Sequence, residues 1–207
     1  MNWNLLYGIP GDRDHWYAAI VDLIPLLEHL NPPTGLFHLS VDRFSPYFQE
    51  PEAFGLSNIR PIPSYDAALP TKDITRLIAF HFIADYTSET RAGSVTIKAL
   101  DRAIAAWRAS WMTPDRPLPL LELAFLGDNN FLLVDTRSIA SATFQFIDET
   151  KARVAIAGDV SDDDAVHWAL ASRCAVEFEG RVLPLAVAAP EQMRRFNCRR
   201  RLDTITE

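Results

Sequence analysis

A strand that runs straight into a Gly-x-Pro-Gly turn and then into a helix leaves few folds open. Asn4, Leu5, Leu6, Tyr7, Gly8 and Ile9 read as a buried strand, and Pro10, Gly11 and Asp12 turn it into a helix. This strand–turn–helix unit is the repeat of an α/β fold, and its strand needs parallel neighbours on both sides. The unit opens the sequence, so the chain is expected to start inside a barrel or sheet whose earlier part lies elsewhere.

The helix is expected from about Asp14 to Leu30, where Trp16, Ile20, Leu23, Leu27 and Leu30 recur at steps of three and four. Pro25 is expected to kink it, and Asn31-Pro32-Pro33 ends it. Leu36 to Val41 is a second strand, which completes a parallel crossover unit. From Asp42 to Pro70 the prolines Pro46, Pro51, Pro61, Pro63 and Pro70 predict a long capping loop. Its aromatics, Phe44, Tyr47, Phe48, Phe54 and Tyr65, are expected to pack over one end of the barrel, because disordered linkers are aromatic-poor.

Residues 71–117 read as a helical connector. It holds a short helix from Ile74 to Phe82 and a longer one from Ser94 to Met112, with Ile97, Leu100, Ile104, Trp107 and Trp111 on one stripe. Past Pro114, Pro117 and Pro119 the pattern changes. Leu120–Leu126 and Phe131–Asp135 flank the hairpin signal Gly127-Asp128-Asn129-Asn130. Helices are expected over Ala142–Ala157 and Asp162–Ala175, then a hairpin of Val176–Phe178 and Val182–Val187. Helix, helix, hairpin is the order of a winged-helix module, which gives residues 118–190 a winged-helix-like reading. Ser161 and Asp164 form a capping box, which explains the acidic run Asp162-Asp163-Asp164 without a metal ion. Residues 191–207 form a basic tail with Arg194, Arg195, Arg199, Arg200 and Arg201, expected to be solvated.

Charge and cysteine usage limit the function classes. The net charge is −7, and the first 92 residues carry 11 acidic and 6 basic side chains, so no global basic face meets nucleic acid. The second helix of the winged-helix-like region sets three aspartates against Arg173, the wrong charge for a phosphate backbone. DNA is therefore not an expected partner. Cys174 and Cys198 are too few for a disulfide framework and point to a reducing compartment. No membrane span and no signal peptide are read, and the expected location is the cytoplasm.

Two segments are candidates for chemistry. Gly8-Ile9-Pro10-Gly11-Asp12 follows a strand, where α/β folds collect ligands, and its glycines let a ligand approach the backbone. A plain tight turn is the competing reading. Asp42-Arg43-Phe44-Ser45-Pro46-Tyr47-Phe48 follows the second strand, and Arg43 offers a planar fork for a carboxylate or phosphate. There the competing reading is that Asp42 and Arg43 pair with neighbours. His81 is expected to pack on its helix, and His15, His29, His38 and His167 lack metal-ligand spacing.

Asn4 to Gly11, Ile24-Pro25-Leu26-Leu27, Asn31-Pro32-Pro33, Asp42 to Phe48 and Phe54-Gly55-Leu56-Ser57-Asn58-Ile59-Arg60-Pro61 together resemble a known family. They look like the C-terminal part of cobalamin-binding radical S-adenosylmethionine (SAM) enzymes that mature ribosomally made peptides, similar to peptide C-methyltransferases. The likeness runs from Asn4 to Pro70. It continues to Ala188, where Leu133-Val134-Asp135-Thr136-Arg137 and Leu183-Pro184-Leu185-Ala186-Val187 are similar to that family's winged-helix-like end.

The resemblance implies an α/β then α+β fold: the C-terminal part of a radical SAM partial (β/α) barrel, over residues 1–70, followed by the winged-helix-like region. It implies SAM contact at Tyr7, Gly8, Pro10 and Gly11, and substrate or SAM contact at Asp42, Arg43 and Tyr47. Family members carry an N-terminal cobalamin domain and a Cys-x3-Cys-x2-Cys loop for a [4Fe–4S] cluster, and this chain has only Cys174 and Cys198. The cluster, cobalamin and SAM are thus expected in the complete enzyme, with no cofactor on this chain alone. The implied partners are a precursor peptide and a second polypeptide with the rest of the barrel. The alternative is a non-catalytic peptide-binding accessory protein built on the winged-helix-like module.

Overall fold

The computed structural model describes residues 2–69, 71–114 and 117–191. The basic-tail arginines Arg194, Arg195, Arg199, Arg200 and Arg201, and Cys198, lie outside the described residues. Within the described residues the chain forms two compact units. Of these residues, one unit takes those within 2–22 and 32–108, the other those within 23–31 and 109–191.

The first unit opens with β1 (Leu5–Tyr7), the part of α1 (Asp14–Leu27) up to Asp22, and β2 (Leu36–His38). β1 and β2 pair in parallel, with Leu5 opposite Leu36 and Tyr7 opposite His38, and α1 is the crossover that parallel strands require. The pair is a sheet of its own, and among the described residues neither strand has a second neighbour. α1 ends three residues short of Leu30, whose amide closes a turn on the Leu27 carbonyl at 2.8 Å.

The stretch read as a loop holds short elements instead. β3 (Val41–Asp42), α2 (Pro46–Gln49), a 3-10 turn over Pro51–Phe54, β4 (Ser57–Pro61) and α3 (Ser64–Ala68) succeed one another. The prolines start or end these elements rather than preventing them. Pro46 sits at the first turn of α2 behind the N-cap Ser45, where its missing N–H costs nothing. Pro61 closes an edge strand. α4 (Lys72–Ile78) and β5 (His81–Asp85) replace the single helix expected over Ile74–Phe82. Burial along β5 alternates, with Phe82 and Ala84 inward, so the period switches from helix to strand at Ala79 and His81 stands on a strand. β5 is the central strand of an antiparallel sheet in the order β3-β5-β4. Tyr47, Phe48, Ile59, Tyr65 and Tyr86 pack around its core of Val41, Leu56, Ala79, Phe82 and Ala84. α5 (Val95–Met112) follows, with Ile97, Leu100, Ile104 and Trp107 buried along the expected stripe.

The second unit contains β6 (Leu121–Gly127), β7 (Asn130–Asp135) and β8 (Phe144–Asp148) as an antiparallel meander. α6 (Glu149–Ala157), α7 (Asp163–Ala171) and the hairpin of β9 (Ala175–Phe178) and β10 (Arg181–Pro184) come after it. The helix expected from Ala142 begins only at Glu149. Its first part is β8, where Ile147 lies opposite Phe131, and Asp148 caps the helix by accepting from the Lys151 amide at 2.9 Å. The α7 cap is Asp162, which accepts from Ala165 N at 2.8 Å, one residue later than the Ser161–Asp164 box. Leu121, Leu123, Phe131, Leu133 and Ile147 bury one face of the meander against Ala152, Ala155, Ile156, Cys174 and Ala186. On the same sheet Phe144 and Phe146 are exposed.

The described sheets are small, with no closed barrel among them. No described helix is long and apolar enough to cross a membrane.

Candidate functional site

One buried carboxylate organises the turn that leaves β1. Asp12 is 2 % exposed, and its Oδ2 accepts from Gly8 N (3.1 Å), Ile9 N (3.2 Å), the Tyr17 hydroxyl (2.9 Å) and the Thr90 hydroxyl. Gly8 N also donates to Thr90 Oγ1 at 3.0 Å, Gly11 N donates to the Thr87 carbonyl at 2.8 Å, and the Tyr86 hydroxyl donates to the Gly8 carbonyl at 2.7 Å. The turn therefore spends its N–H groups inward, on its own carboxylate and on the segment after β5.

Electrostatics follow from that geometry. Burial raises the Asp12 carboxyl, but the hydroxyls of Ser88, Thr90 and Tyr17 outweigh it, so the pKa falls below the ordinary carboxylate value. Oδ1 is also buried, with no hydrogen bond to it among the described residues. Burial, then the bond to the Asp12 carboxylate, push the Tyr17 phenol up to about 12, which keeps it a donor.

Gly8 and Gly11 both have left-handed backbone, with φ of 71° and 76°. A Cβ on Gly8 would meet His38 Nε2 at 2.7 Å, whereas one on Gly11 would meet nothing within 4 Å. Gly8 is thus needed for close approach of the His38 ring, and Gly11 leaves an open surface. Tyr7 sits edge-on to His38, with ring centroids 5.2 Å apart. His38 Nδ1 lies 2.7 Å from the Leu39 carbonyl, which only accepts, so in the neutral ring Nδ1 carries the proton and Nε2 is an acceptor. Tyr7, Gly8, Pro10 and Gly11 therefore cluster at the carboxyl end of β1 beside His38. They offer a shaped surface and one ring acceptor rather than a nest of N–H donors.

The second candidate segment splits. Asp42 Oδ1 pairs with His81 Nδ1 at 2.8 Å and accepts from Ser40 Oγ at 3.1 Å. Arg43 turns the other way. Its Nε donates to the Ala79 carbonyl at 2.5 Å and its Nη2 to the Arg76 carbonyl at 2.6 Å, with the guanidinium over the Phe48 and Phe82 rings. Among the described residues no hydrogen bond is made by Nη1. Tyr47 stacks edge-on to Phe54, with centroids 4.8 Å apart. Tyr47 and Tyr86 pack on the same core, and Tyr86 bonds Gly8, so one cluster supports both candidate segments.

His38, Tyr86 and Thr90 escaped the sequence reading as site residues. His38 lacks metal-ligand spacing, and no sequence motif marks Tyr86 or Thr90. Nothing in a periodicity search marks a hydroxyl that closes a turn 78 residues away.

The second unit holds a buried polar network. Arg137 and Asp135 form an ion pair at 2.7 Å with side chains 0 % and 3 % exposed. Arg137 also donates to the Leu26 and Arg173 carbonyls at 2.8 and 2.9 Å, which satisfies the fork. The Leu133–Arg137 run thus ends in a structural pair. His29 Nε2 bonds the Leu185 carbonyl at 2.8 Å, and its Nδ1 is buried, with no hydrogen bond of good geometry among the described residues. Cys174 lies in the adjoining core, where burial pushes its thiol up to about 12. A neutral buried thiol does not fit an iron–sulfur cluster, which takes thiolates. No group of three or more His, Cys, Asp or Glu among the described residues is placed to hold a metal ion.

No protein-family model, curated protein or solved structure matches this chain.

Proposed function

We propose that this chain is the C-terminal part of a cobalamin-binding radical SAM enzyme that matures ribosomally made peptides, with peptide C-methylation as the reaction, and that it is inactive alone. The observation that carries this reading is the parallel pair β1–β2 with its α1 crossover and both outer edges unpaired among the described residues. Parallel strands are normally covered and extended by further strands, so this pair calls for neighbours from another segment. In this reading SAM meets Tyr7, Gly8, Pro10 and Gly11 at the carboxyl end of β1. Asp42, Arg43 and Tyr47 contact the substrate or SAM in the complete enzyme, with Arg43 Nη1 as the donor for it. The cluster and cobalamin sit on the complementary part, the substrate is a precursor peptide, and the enzyme works in the cytoplasm.

A second reading has one observation in its favour. Phe144 and Phe146 are 64 % and 79 % exposed on β8, a surface that a non-catalytic peptide-binding accessory protein would use.

Anaerobic reconstitution of the chain with iron and sulfide tests the first reading. No stable cluster is expected in its absorbance spectrum. A stoichiometric cluster on the isolated chain overturns the fragment assignment.

A further inference from the structure

The first unit contains an open cleft of about 700 Å³ between β4, α4 and the middle of β5. Arg60, Lys72 and Arg76 line it, together with apolar walls from Phe48, Ile59 and Phe82, and no acidic residue does. The first 92 residues carry only 6 basic side chains, and three of them meet here. A concentration of positive charge in the acidic part of an acidic chain is a local feature, not a consequence of composition.

The cations are also poorly compensated. Arg60 pairs with Asp85 at 3.1 Å, both half-exposed. Among the described residues Lys72 and Arg76 have no carboxylate partner. They stand four apart on α4, the spacing at which like charges repel across one helix face. An anion between them and Arg60 removes that repulsion. The volume falls in the range of roughly 300–1,000 Å³ that small-molecule sites occupy.

We infer that this cleft binds a small organic phosphate, a phosphate monoester on an apolar or aromatic body. Cations line two walls, Arg60 on β4 and Lys72 with Arg76 on α4, which suits a dianion better than a single carboxylate. Arginine forks match phosphate oxygens in pairs, and Lys72 adds a point charge. Phe48 and Ile59, both half-buried, take the body of the ligand. The inference is independent of the SAM surface at β1, since it uses none of those residues.

Calorimetric titration of the full chain with phenyl phosphate tests it, with inorganic phosphate and benzoate as the other arms, at about 0.15 M salt. Saturable binding of phenyl phosphate is expected, at least ~10-fold tighter than either other compound. Lys72→Gln and Arg76→Gln should each weaken it ~10-fold or more, the loss of one charge-assisted bond, with the melting temperature unchanged because both side chains are exposed. Lys98→Gln, on α5 outside the cleft, should bind as the parent does. Absence of saturable binding, or binding untouched by Lys72→Gln, overturns the site. Benzoate binding equally well overturns the phosphate assignment, and inorganic phosphate binding equally well overturns the role of the apolar walls. Should Arg76→Gln fold poorly, Lys72→Gln decides alone.

Discussion

The Tyr17 phenol donates to Asp12 Oδ2 at 2.9 Å, and through that bond the first turns of α1 are tied to the loop that precedes them. The same oxygen serves the Gly8 and Ile9 amides, so one carboxylate closes the turn and anchors the helix. Asp12→Ala strands several buried donors, each worth about 1–3 kcal/mol. A loss on the order of 3 kcal/mol in urea unfolding is expected, against about 1–2 kcal/mol for Tyr17→Phe. The pH dependence follows from the depressed carboxyl. Its folded pKa lies below the unfolded value, so its stabilisation is complete above about pH 4 and is lost as pH falls through the folded value. Asp12→Asn should flatten that acid limb.

Gly8→Ala brings two separate penalties. The added methyl meets the His38 ring, and the left-handed backbone disfavours any Cβ. About 1–2 kcal/mol of destabilisation is expected from the backbone alone, with the clash added. In a double-mutant cycle His38→Ala should recover the clash and leave the backbone cost. Full recovery, or none, would contradict this division.

His29 gives a second pH signal, in the other unit. Burial lowers its pKa, the bond to the Leu185 carbonyl partly opposes that, and the Arg137 charge adds to the lowering. A base whose folded pKa is depressed takes up its proton more readily when unfolded. Stability is then complete above about pH 6.5 and declines as pH falls below it towards the folded value. His29→Gln should abolish the decline below about pH 6.5, measured as unfolding free energy at several pH values.

Where local pattern and tertiary pairing agree, the elements could be read from the residues. The apolar stripe of α5 is of this kind, and so is the parallel pairing of β1 with β2 across α1, although β2 stops at His38 and Val41, expected on the same strand, pairs antiparallel with Phe82 in another sheet. Ile74–Phe82 and Ala142–Ala157, each expected as one helix, each contain a change of period. A short apolar run such as Phe80–Ala84 or Phe144–Ile147 fits either element until a partner strand selects it, and β3 and β7 make that choice. The turn glycines stood out as candidates, but their N–H groups face Asp12, Thr87 and Thr90, and only the folded chain brings Thr90 there. The clustering of Arg60, Lys72 and Arg76 likewise arises from β4 and α4 sharing one cleft, which linear spacing does not encode.

Reassembly tests the central reading most directly. The chain is mixed anaerobically with a polypeptide that carries the Cys-x3-Cys-x2-Cys loop and the preceding barrel strands. A reductant and SAM are added, and reductive cleavage of SAM is measured. The proposed function predicts no cleavage by this chain alone and cleavage that rises with the amount of chain added until the two parts are equal. Cleavage by the isolated chain, or a complementary part whose activity is indifferent to it, would contradict the proposal.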